Sequence, residues 1–242
     1  MVNILISGYY GFDNIGDESI LRTLVSSLRE HIPDCSLTVL SYNPASTREK
    51  YGVEAVDRMS PMAILRAVKK CDMLISGGGS LLQDVTSSKS LHYYLSIIRC
   101  AEFFHKKVFI YSQGIGPIDR PGNRRAAAAA LKRADGIVVR DERSAALLEE
   151  IGIARDKVVI TADPVIRMKK PDGDVGAEIL RKAGVSLDGR LTVGWAIRER
   201  DTDSRFVKEL LRSIQMMKDK YNAQSVLIPF HYEEDGEVCR HI

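Results

Sequence analysis

An open parallel α/β sheet with a ligand crevice along one rim is the architecture this chain predicts. Two patterns carry that reading. Short apolar runs alternate with helical patterns through about residue 165, which implies right-handed strand–helix–strand units. Four of the runs also end in loops marked by glycine or charge. Ile4-Leu5-Ile6 opens into Gly8-Tyr9-Tyr10-Gly11-Phe12-Asp13-Asn14-Ile15-Gly16-Asp17-Glu18, and Met73-Leu74-Ile75 into Gly77-Gly78-Gly79-Ser80-Leu81-Leu82-Gln83-Asp84. Val108-Phe109-Ile110 opens into Gln113-Gly114-Ile115-Gly116-Pro117, and Ile137-Val138-Val139 ends at Arg140-Asp141-Glu142-Arg143-Ser144. In such sheets the loops at the carboxyl ends of the strands form the crevice. Glycine there lets backbone N–H groups come close to a ligand. Together the four loops describe a site for an anion.

The elements follow in order. Val2–Ser7 reads as a buried strand, and Asp17–His31 as a helix with Ile20, Leu21, Leu24, Val25 and Leu28 at three- and four-residue steps. Ser36–Ser41 and Val53–Val56 read as strands. Pro61–Lys70 reads as a helix, with proline suited to its first turn. Asp72–Ser76 is expected as a strand, Ser90–His105 as a helix and Lys107–Tyr111 as a strand. Pro121–Ala134 is expected as a helix, and its alanine run reflects helix propensity alone. Gly136–Val139, Asp141–Ile151 and Lys157–Ile160 are expected as strand, helix and strand.

Prolines, glycines and charges between residues 163 and 176 mark a hinge. The expected organisation is a first domain over 1–165, a linker over 166–176 and a partial second domain over 177–242. That second domain offers a helix near Ala177–Ala183, a strand Leu191–Ile197, a helix Ser204–Tyr221 and a strand Ser225–Pro229. Phe230–Ile242 reads as polar and irregular. Two strands rarely make a stable sheet alone, so a truncated domain, or one completed by a partner, is expected.

Composition narrows the function. The 242 residues are 45% hydrophobic with a formal net charge of +3, ordinary for a soluble globular protein. No basic block demands nucleic acid, and no nucleic-acid partner is expected. Cys35, Cys71, Cys100 and Cys239 lack metal-knuckle or redox spacing, so reduced thiols and no metal site are expected. The sequence has no signal-peptide pattern and no apolar run long enough to span a membrane. A cytoplasmic protein, at most peripheral at the inner face of the cell membrane, is the expectation. The sequence sets no oligomeric state.

The first loop precedes a helix, whose N-terminus favours phosphate or carboxylate. Its glycine spacing is neither the dinucleotide fingerprint nor a P-loop. Asp17 and Glu18 stand where a helix would be capped, and Tyr9, Tyr10 and Phe12 offer faces to a sugar. Gly77–Gly79 with Ser80 makes a second anion nest. Asp84 is either a general base for a hydroxyl or a turn-capping carboxylate. Arg140 is either a bidentate clamp on an anion or an ion-pair partner of Asp141 or Glu142. His231 follows a strand and a proline and is a candidate site residue; His92, Trp195 and Arg198 are weaker ones.

As a set, these loops with Val139-Arg140-Asp141 and Asp163-Pro164 resemble the polysaccharide pyruvyl transferases, nearest the branch that modifies bacterial secondary cell-wall polymer (CsaB type). The resemblance runs from residue 1 to about residue 235. It implies a glycosyltransferase-B-like pair of Rossmann-like domains facing a cleft, the second incomplete here. It implies transfer of pyruvate from phosphoenolpyruvate to a sugar, forming a 4,6-ketal on N-acetylmannosamine of a lipid-linked acceptor; the alternatives are a nucleotide-sugar glycosyltransferase on the same architecture and a non-catalytic module that binds anionic glycan. The pyruvylated polymer would anchor S-layer proteins, and no cofactor is implied. By resemblance Arg140 clamps the donor and Asp84 takes the hydroxyl proton. Gly8, Tyr9, Asn14, Gly16, Gly77, Gly78, Gly79, Ser80, Gln113, Gly114 and His231 shape the donor and acceptor pockets. Members of the family continue to an Arg-Leu-His-type segment that this sequence does not hold, so little or no transfer activity is expected of the 242-residue form.

Overall fold

The computed structural model describes residues 1–85, 87–170, 173–198, 204–231 and 234–242. The chain divides into two compact units. The first comprises Met1–Phe12 and Gly16–Met168, the second Asp13–Ile15 and Lys169–Ile242.

The first unit is built on seven strands: β1 (Val2–Tyr10), β2 (Cys35–Ser41), β3 (Glu54–Asp57), β4 (Met73–Gly77), β5 (Lys107–Gln113), β6 (Gly136–Val139) and β7 (Val158–Ile160). They pair in the order β3-β2-β1-β4-β5-β6-β7, and every pairing is parallel. This is the doubly wound, Rossmann-like arrangement, whose order reverses between β1 and β4. The glycine loops after β1 and β4 therefore sit at the switch point, where such sheets hold ligands.

Helices cover both faces of the sheet because the strands are apolar on both sides. They are α1 (Ile15–His31), α2 (Pro44–Tyr51), α3 (Pro61–Lys70), α4 (Ser88–Phe103), α5 (Pro121–Leu131) and α6 (Glu142–Glu150). One core cluster includes Leu5, Leu74, Leu91, Ile98, Val108, Ile110, Leu131 and Ile137. The other includes Ile4, Ile6, Tyr10, Leu21, Leu24 and Val39.

Three boundaries differ from expectation in ways that matter. β1 does not stop at Ser7: Gly8, Tyr9 and Tyr10 continue the strand past an irregularity in its pairing with β2. Tyr10 is therefore buried, and its hydroxyl donates to the Gly77 carbonyl oxygen at 2.7 Å. Helix α2 was not expected, since it buries only Thr47 and Tyr51 and has almost no apolar stripe. Its ends were written in the sequence all the same: Asn43 caps it by accepting from Ser46 N at 3.2 Å, Pro44 opens it, and Gly52 closes it at φ +62°. Phe230–Ile242 is not irregular throughout, since Glu234–His241 is helical.

The second unit contains α7 (Gly173–Lys182), β8 (Thr192–Ile197), α8 (Ser204–Tyr221), β9 (Gln224–Pro229) and α9 (Glu234–His241). β8 and β9 pair in parallel. α7 begins at Gly173, earlier than the expected Ala177. Asn14 and His231 form an antiparallel bridge within this unit, and Ile15 N donates to the Phe230 carbonyl. Among the described residues no helix is long and apolar enough to cross a membrane.

Candidate functional site

Seven parallel strands bring seven chain segments to one rim of the first unit. In lateral order these are Arg58 after β3, Tyr42 after β2, Tyr9 to Phe12 at the end of β1, Gly78–Ser80 after β4, Gly114 after β5, Arg140 after β6 and Asp163 after β7. The rim divides chemically between β1 and β4.

The β4–β7 half is built to hold an anion. Arg140 donates from Nη1 to Asp163 Oδ2 at 2.8 Å and from Nη2 to Ser80 Oγ at 3.1 Å. Its Nε lies 3.8 Å from Asp141 Oδ2, so the main ion pair is with Asp163 and not with either neighbour proposed from sequence. The side chain is 30% exposed. A guanidinium carries five N–H donors, so two hydrogen bonds fix its plane and leave donors for a ligand.

Gly114 makes that plane possible. A Cβ there would fall 2.6 Å from Ser80 Oγ, 3.0 Å from Arg140 Nη2 and 3.1 Å from Arg140 Nε. Only glycine lets the guanidinium lie against the backbone. Gly114 N donates to the Gly79 carbonyl at 2.9 Å, tying the two loops together. Among the described residues the N–H groups of Gly79 and Ser80 meet no acceptor. Beside Arg140 a cavity of about 490 Å³ is lined by Ser80, Gly114, Pro117, Asp141, Arg143 and Ser144, among others. Arg143 forms no ion pair among the described residues. Asp141 caps α6, accepting from Ser144 N at 2.8 Å and Ser144 Oγ at 2.7 Å. Burial raises the Asp141 carboxyl, but the Ser144 bonds and the charges of Arg140 and Arg143 hold it below the ordinary carboxylate range.

The β3–β1 half is aromatic. Tyr9 stacks on Phe12 at 4.1 Å, and Phe12 on Tyr42 at 4.5 Å, with interplanar angles of 5° and 14°. Arg58 is buried beside this stack. Its Nη1 donates to the Gly8 carbonyl at 2.9 Å and its Nη2 to the Tyr94 hydroxyl at 3.1 Å. The guanidinium lies 4.8–5.6 Å from the ring centroids of Tyr9, Phe12, Tyr93 and Tyr94. Among the described residues it forms no ion pair. Gly11 turns the chain under the stack at φ +82°, and a Cβ would meet Asn43 N at 2.6 Å. Glu18 locks the turn, accepting from Gly11 N at 2.8 Å and from the Tyr51 hydroxyl at 2.5 Å. Glu18 thus secures the loop, and Asp17 at the start of α1 faces the triple glycine: a Cβ on Gly79 would lie 3.2 Å from Asp17 Oδ1.

The structure sorts the sequence candidates. It brings together Gly78, Gly79, Ser80, Gly114 and Arg140. Gly77 and Gly8 lie just beneath, buried in the strand ends. Tyr9 is the end ring of the stack opposite Tyr42, and Gly16 lies in the first turn of α1. Asn14 and His231 belong to the second unit, where Asp235 Oδ2 accepts from His231 N at 2.7 Å. His92 is exposed, as is Arg198; Trp195 is half-buried and donates to Ser225 Oγ at 3.0 Å.

Two candidates are corrected. Asp84 is not placed as a base: it is buried, and its oxygens accept from Asp119 N at 2.9 Å, Arg120 N at 3.1 Å and Asn123 Nδ2 at 2.7 Å. Burial raises its carboxyl, but those donors and the Arg120 charge outweigh burial and hold it below the usual range. The turn-capping alternative is the one realised. Gln113 does not line a pocket: it is 0% exposed, and its amide donates to the Ser76 carbonyl at 2.5 Å and Ser76 Oγ at 3.0 Å. Arg58 and Tyr42 were not among the sequence candidates, and Asp163 entered only through the Asp163-Pro164 motif, with no role assigned. Arg58 had a legible signal, an arginine directly after a strand, the same placement that singled out Arg140.

Among the described residues no group of three His, Cys, Asp or Glu side chains is positioned to hold a metal. All four cysteines are free, and burial pushes the Cys71 thiol up to about 11.

The family model described as "Polysaccharide pyruvyl transferase" matches residues 14–242. The amylovoran biosynthesis protein AmsJ of Erwinia amylovora is 24% identical over 239 residues, covering 82% of this chain and 57% of that protein. The chain thus spans little more than half the length of that curated relative. Among solved structures, S. aureus MnaA in a UDP co-structure aligns with a TM-score of 0.61 at 14% identity, over 100% of this chain and 66% of that one. Anabaena HepE with UDP and glucose aligns with a TM-score of 0.55 at 10% identity, over 94% and 70%. At these identities the likeness shows the fold alone, a Rossmann-like α/β architecture of the glycosyltransferase-B kind.

Proposed function

Because the chain belongs to the polysaccharide pyruvyl transferase family, we propose that the β4–β7 half of its rim binds phosphoenolpyruvate and serves pyruvyl transfer to a sugar diol. The observation that carries this is the Arg140 guanidinium. It lies against Gly114, fixed by Asp163 and Ser80, beside the Gly79 and Ser80 N–H groups, which meet no acceptor among the described residues. The donor is a small trianion whose carboxylate and phosphate match a planar fork and a backbone nest. Arg143 at the cavity adds a second positive charge.

The reaction balances on donor and acceptor alone. The donor methylene takes a proton, which makes its central carbon electrophilic. Two sugar oxygens bond to that carbon, and its bond to the phosphate oxygen breaks. One hydroxyl proton ends on the new methyl group and the other on the released phosphate. With Asp84 committed to the Asp119–Asn123 turn, Asp17 is the carboxylate that faces the glycine loop, and it takes the hydroxyl proton in this reading. Asp163 holds Arg140 in place. The acceptor in this reading is N-acetylmannosamine of a lipid-linked cell-wall polymer precursor, ketalised at its 4 and 6 hydroxyls. The protein then works in the cytoplasm, peripherally at the inner membrane face, as in the CsaB-type branch.

Calorimetric titration of phosphoenolpyruvate tests the donor assignment. Arg140→Ala is expected to weaken binding about 10- to 150-fold, the equivalent of roughly 1.5–3 kcal/mol for a hydrogen bond to a charged group. Equal affinity in the variant and the parent would sink it.

A further inference from the structure

The geometry points to a second ligand subsite on this rim: the outer face of Tyr42 is a platform for a pyranose ring of the acceptor glycan, away from the reacting sugar. The inference rests on the pyruvyl-transfer reading for what it says of the acceptor, but its evidence is independent of Arg140.

Tyr42 is the terminal ring of three. Phe12 lies between it and Tyr9, and all three are nearly parallel. Tyr42 itself is 56% exposed. Among the described residues no ring covers its outer face, and its hydroxyl makes no hydrogen bond. Tyr42 is thus a large ring on the surface, braced from behind, with a free polar tip. Aromatic faces of this kind suit a ligand that is apolar on one side and hydroxylated at its edge. The C–H face and equatorial hydroxyls of a pyranose meet both requirements.

Arg58, buried and bonded to Gly8 and Tyr94, packs alongside Tyr9 and Phe12, 5.6 and 5.1 Å from their ring centroids, and Tyr42 N donates to the Tyr10 carbonyl at 2.9 Å. A pre-ordered ring loses little freedom on binding, which is how a shallow surface gains affinity. A solitary exposed tyrosine needs no such support.

Position completes the argument. Adjacent strands lie about 4.8 Å apart, so the end of β2 stands roughly 10 Å from the glycine loop after β4 and roughly 19 Å from Arg140 after β6. That span suits an oligosaccharide with one residue on Tyr42 and its terminal residue beside the donor. A monosaccharide would not reach both.

Saturation-transfer NMR on the intact chain tests this with the β-methyl glycosides of glucose, galactose, N-acetylglucosamine and N-acetylmannosamine. At least one is expected to receive saturation at its ring C–H protons. Tyr42→Ala should weaken that binding about five- to tenfold, the ratio produced by roughly 1–1.4 kcal/mol of lost contact. Tyr42→Phe and Tyr42→Trp should retain it. No transfer to any of the four, or equal transfer in Tyr42→Ala, overturns the platform. The two readings separate cleanly. Glycoside binding lost in Tyr42→Ala without any phosphoenolpyruvate binding leaves the platform standing and removes the donor assignment. Phosphoenolpyruvate binding with Tyr42-independent glycoside binding does the reverse.

Discussion

Replacing Gly114 with alanine should separate donor binding from stability. The new methyl group would stand 2.6 Å from Ser80 Oγ, about 0.8 Å short of the 3.4 Å where ordinary contact begins. It would stand 3.0 and 3.1 Å from the two nearest Arg140 nitrogens, short by a few tenths of an ångström. None of these obstacles is backbone. Ser80 is exposed and turns away easily, and Arg140 is 30% exposed and has room to lift. Gly114 is not at positive φ, so alanine also gains roughly 0.4–1 kcal/mol by restricting the unfolded chain. That gain offsets the lost Ser80–Arg140 bond, worth about 0.5–1 kcal/mol at a partly exposed site. Net stability should therefore change by less than about 1 kcal/mol, a shift in Tm of under roughly 4 °C for a chain of this size. Donor binding has no such compensation. The guanidinium lifts off the backbone and leaves its plane, and phosphoenolpyruvate affinity should fall at least about tenfold, or 1.4 kcal/mol. Differential scanning fluorimetry and calorimetric titration on the same sample read both quantities. Unchanged affinity at unchanged Tm would refute the view that Gly114 exists to seat Arg140.

Other substitutions test the supports of the rim. Gly8→Ala should differ sharply from Gly114→Ala, because its Cβ would overlap the Tyr10 ring and stand 2.5 Å from the Gly77 carbonyl oxygen; a loss of about 2–3 kcal/mol is expected in urea unfolding. Tyr10→Phe leaves the buried Gly77 carbonyl without its 2.7 Å donor and should cost about 1–2 kcal/mol by the same measurement. Asp84→Asn should destabilise the protein by roughly 1–3 kcal/mol at neutral pH, through weaker acceptance from Asp119, Arg120 and Asn123. The folded-state pKa of Asp84 is lowered, so its contribution is full above the unfolded value, near 3.9, and fades as pH falls through the folded value. The gap in Tm between parent and Asp84→Asn should accordingly close in acid, and a gap that widens there would contradict the assigned role.

Much of the first unit was legible because strand and helix periodicities are strong when a sheet is covered on both faces. Pro61–Lys70, Gly136–Val139 and Ser204–Tyr221 fall where their patterns put them. The misses have physical causes. α2 buries too little to show a stripe, and capping residues alone had to announce it. Gly8-Tyr9-Tyr10 looked like a loop because glycine usually marks one. Here the glycine is required for Tyr10 to fold back over the strand and reach Gly77. The site was legible as a rim but not in its roles. Sequence order shows which residues follow strands, but not which way a carboxylate turns. Asp84 faces inward to three donors, while Asp17, read as a cap, faces the glycines.

The division of roles between the two acids has a structural logic. A carboxylate that accepts three hydrogen bonds is a poor proton acceptor but a strong organiser. Asp84 joins the loop after β4 to the start of α5 and also donates its own N–H to the Pro117 carbonyl at 3.0 Å. That turn borders the cavity beside Arg140, through Pro117, Ile118 and Asp119. Loosening it would move the cavity wall without touching the guanidinium. Asp84→Asn should therefore weaken phosphoenolpyruvate binding less than Arg140→Ala does, and the loss should be recovered by uncharged osmolytes such as sucrose, which favour the compact turn without competing for an anion site. A true proton acceptor behaves otherwise: Asp17→Asn should leave donor affinity within about twofold, or roughly 0.4 kcal/mol, with or without osmolyte. If osmolyte restores Asp17→Asn but not Asp84→Asn, the two assignments must be exchanged.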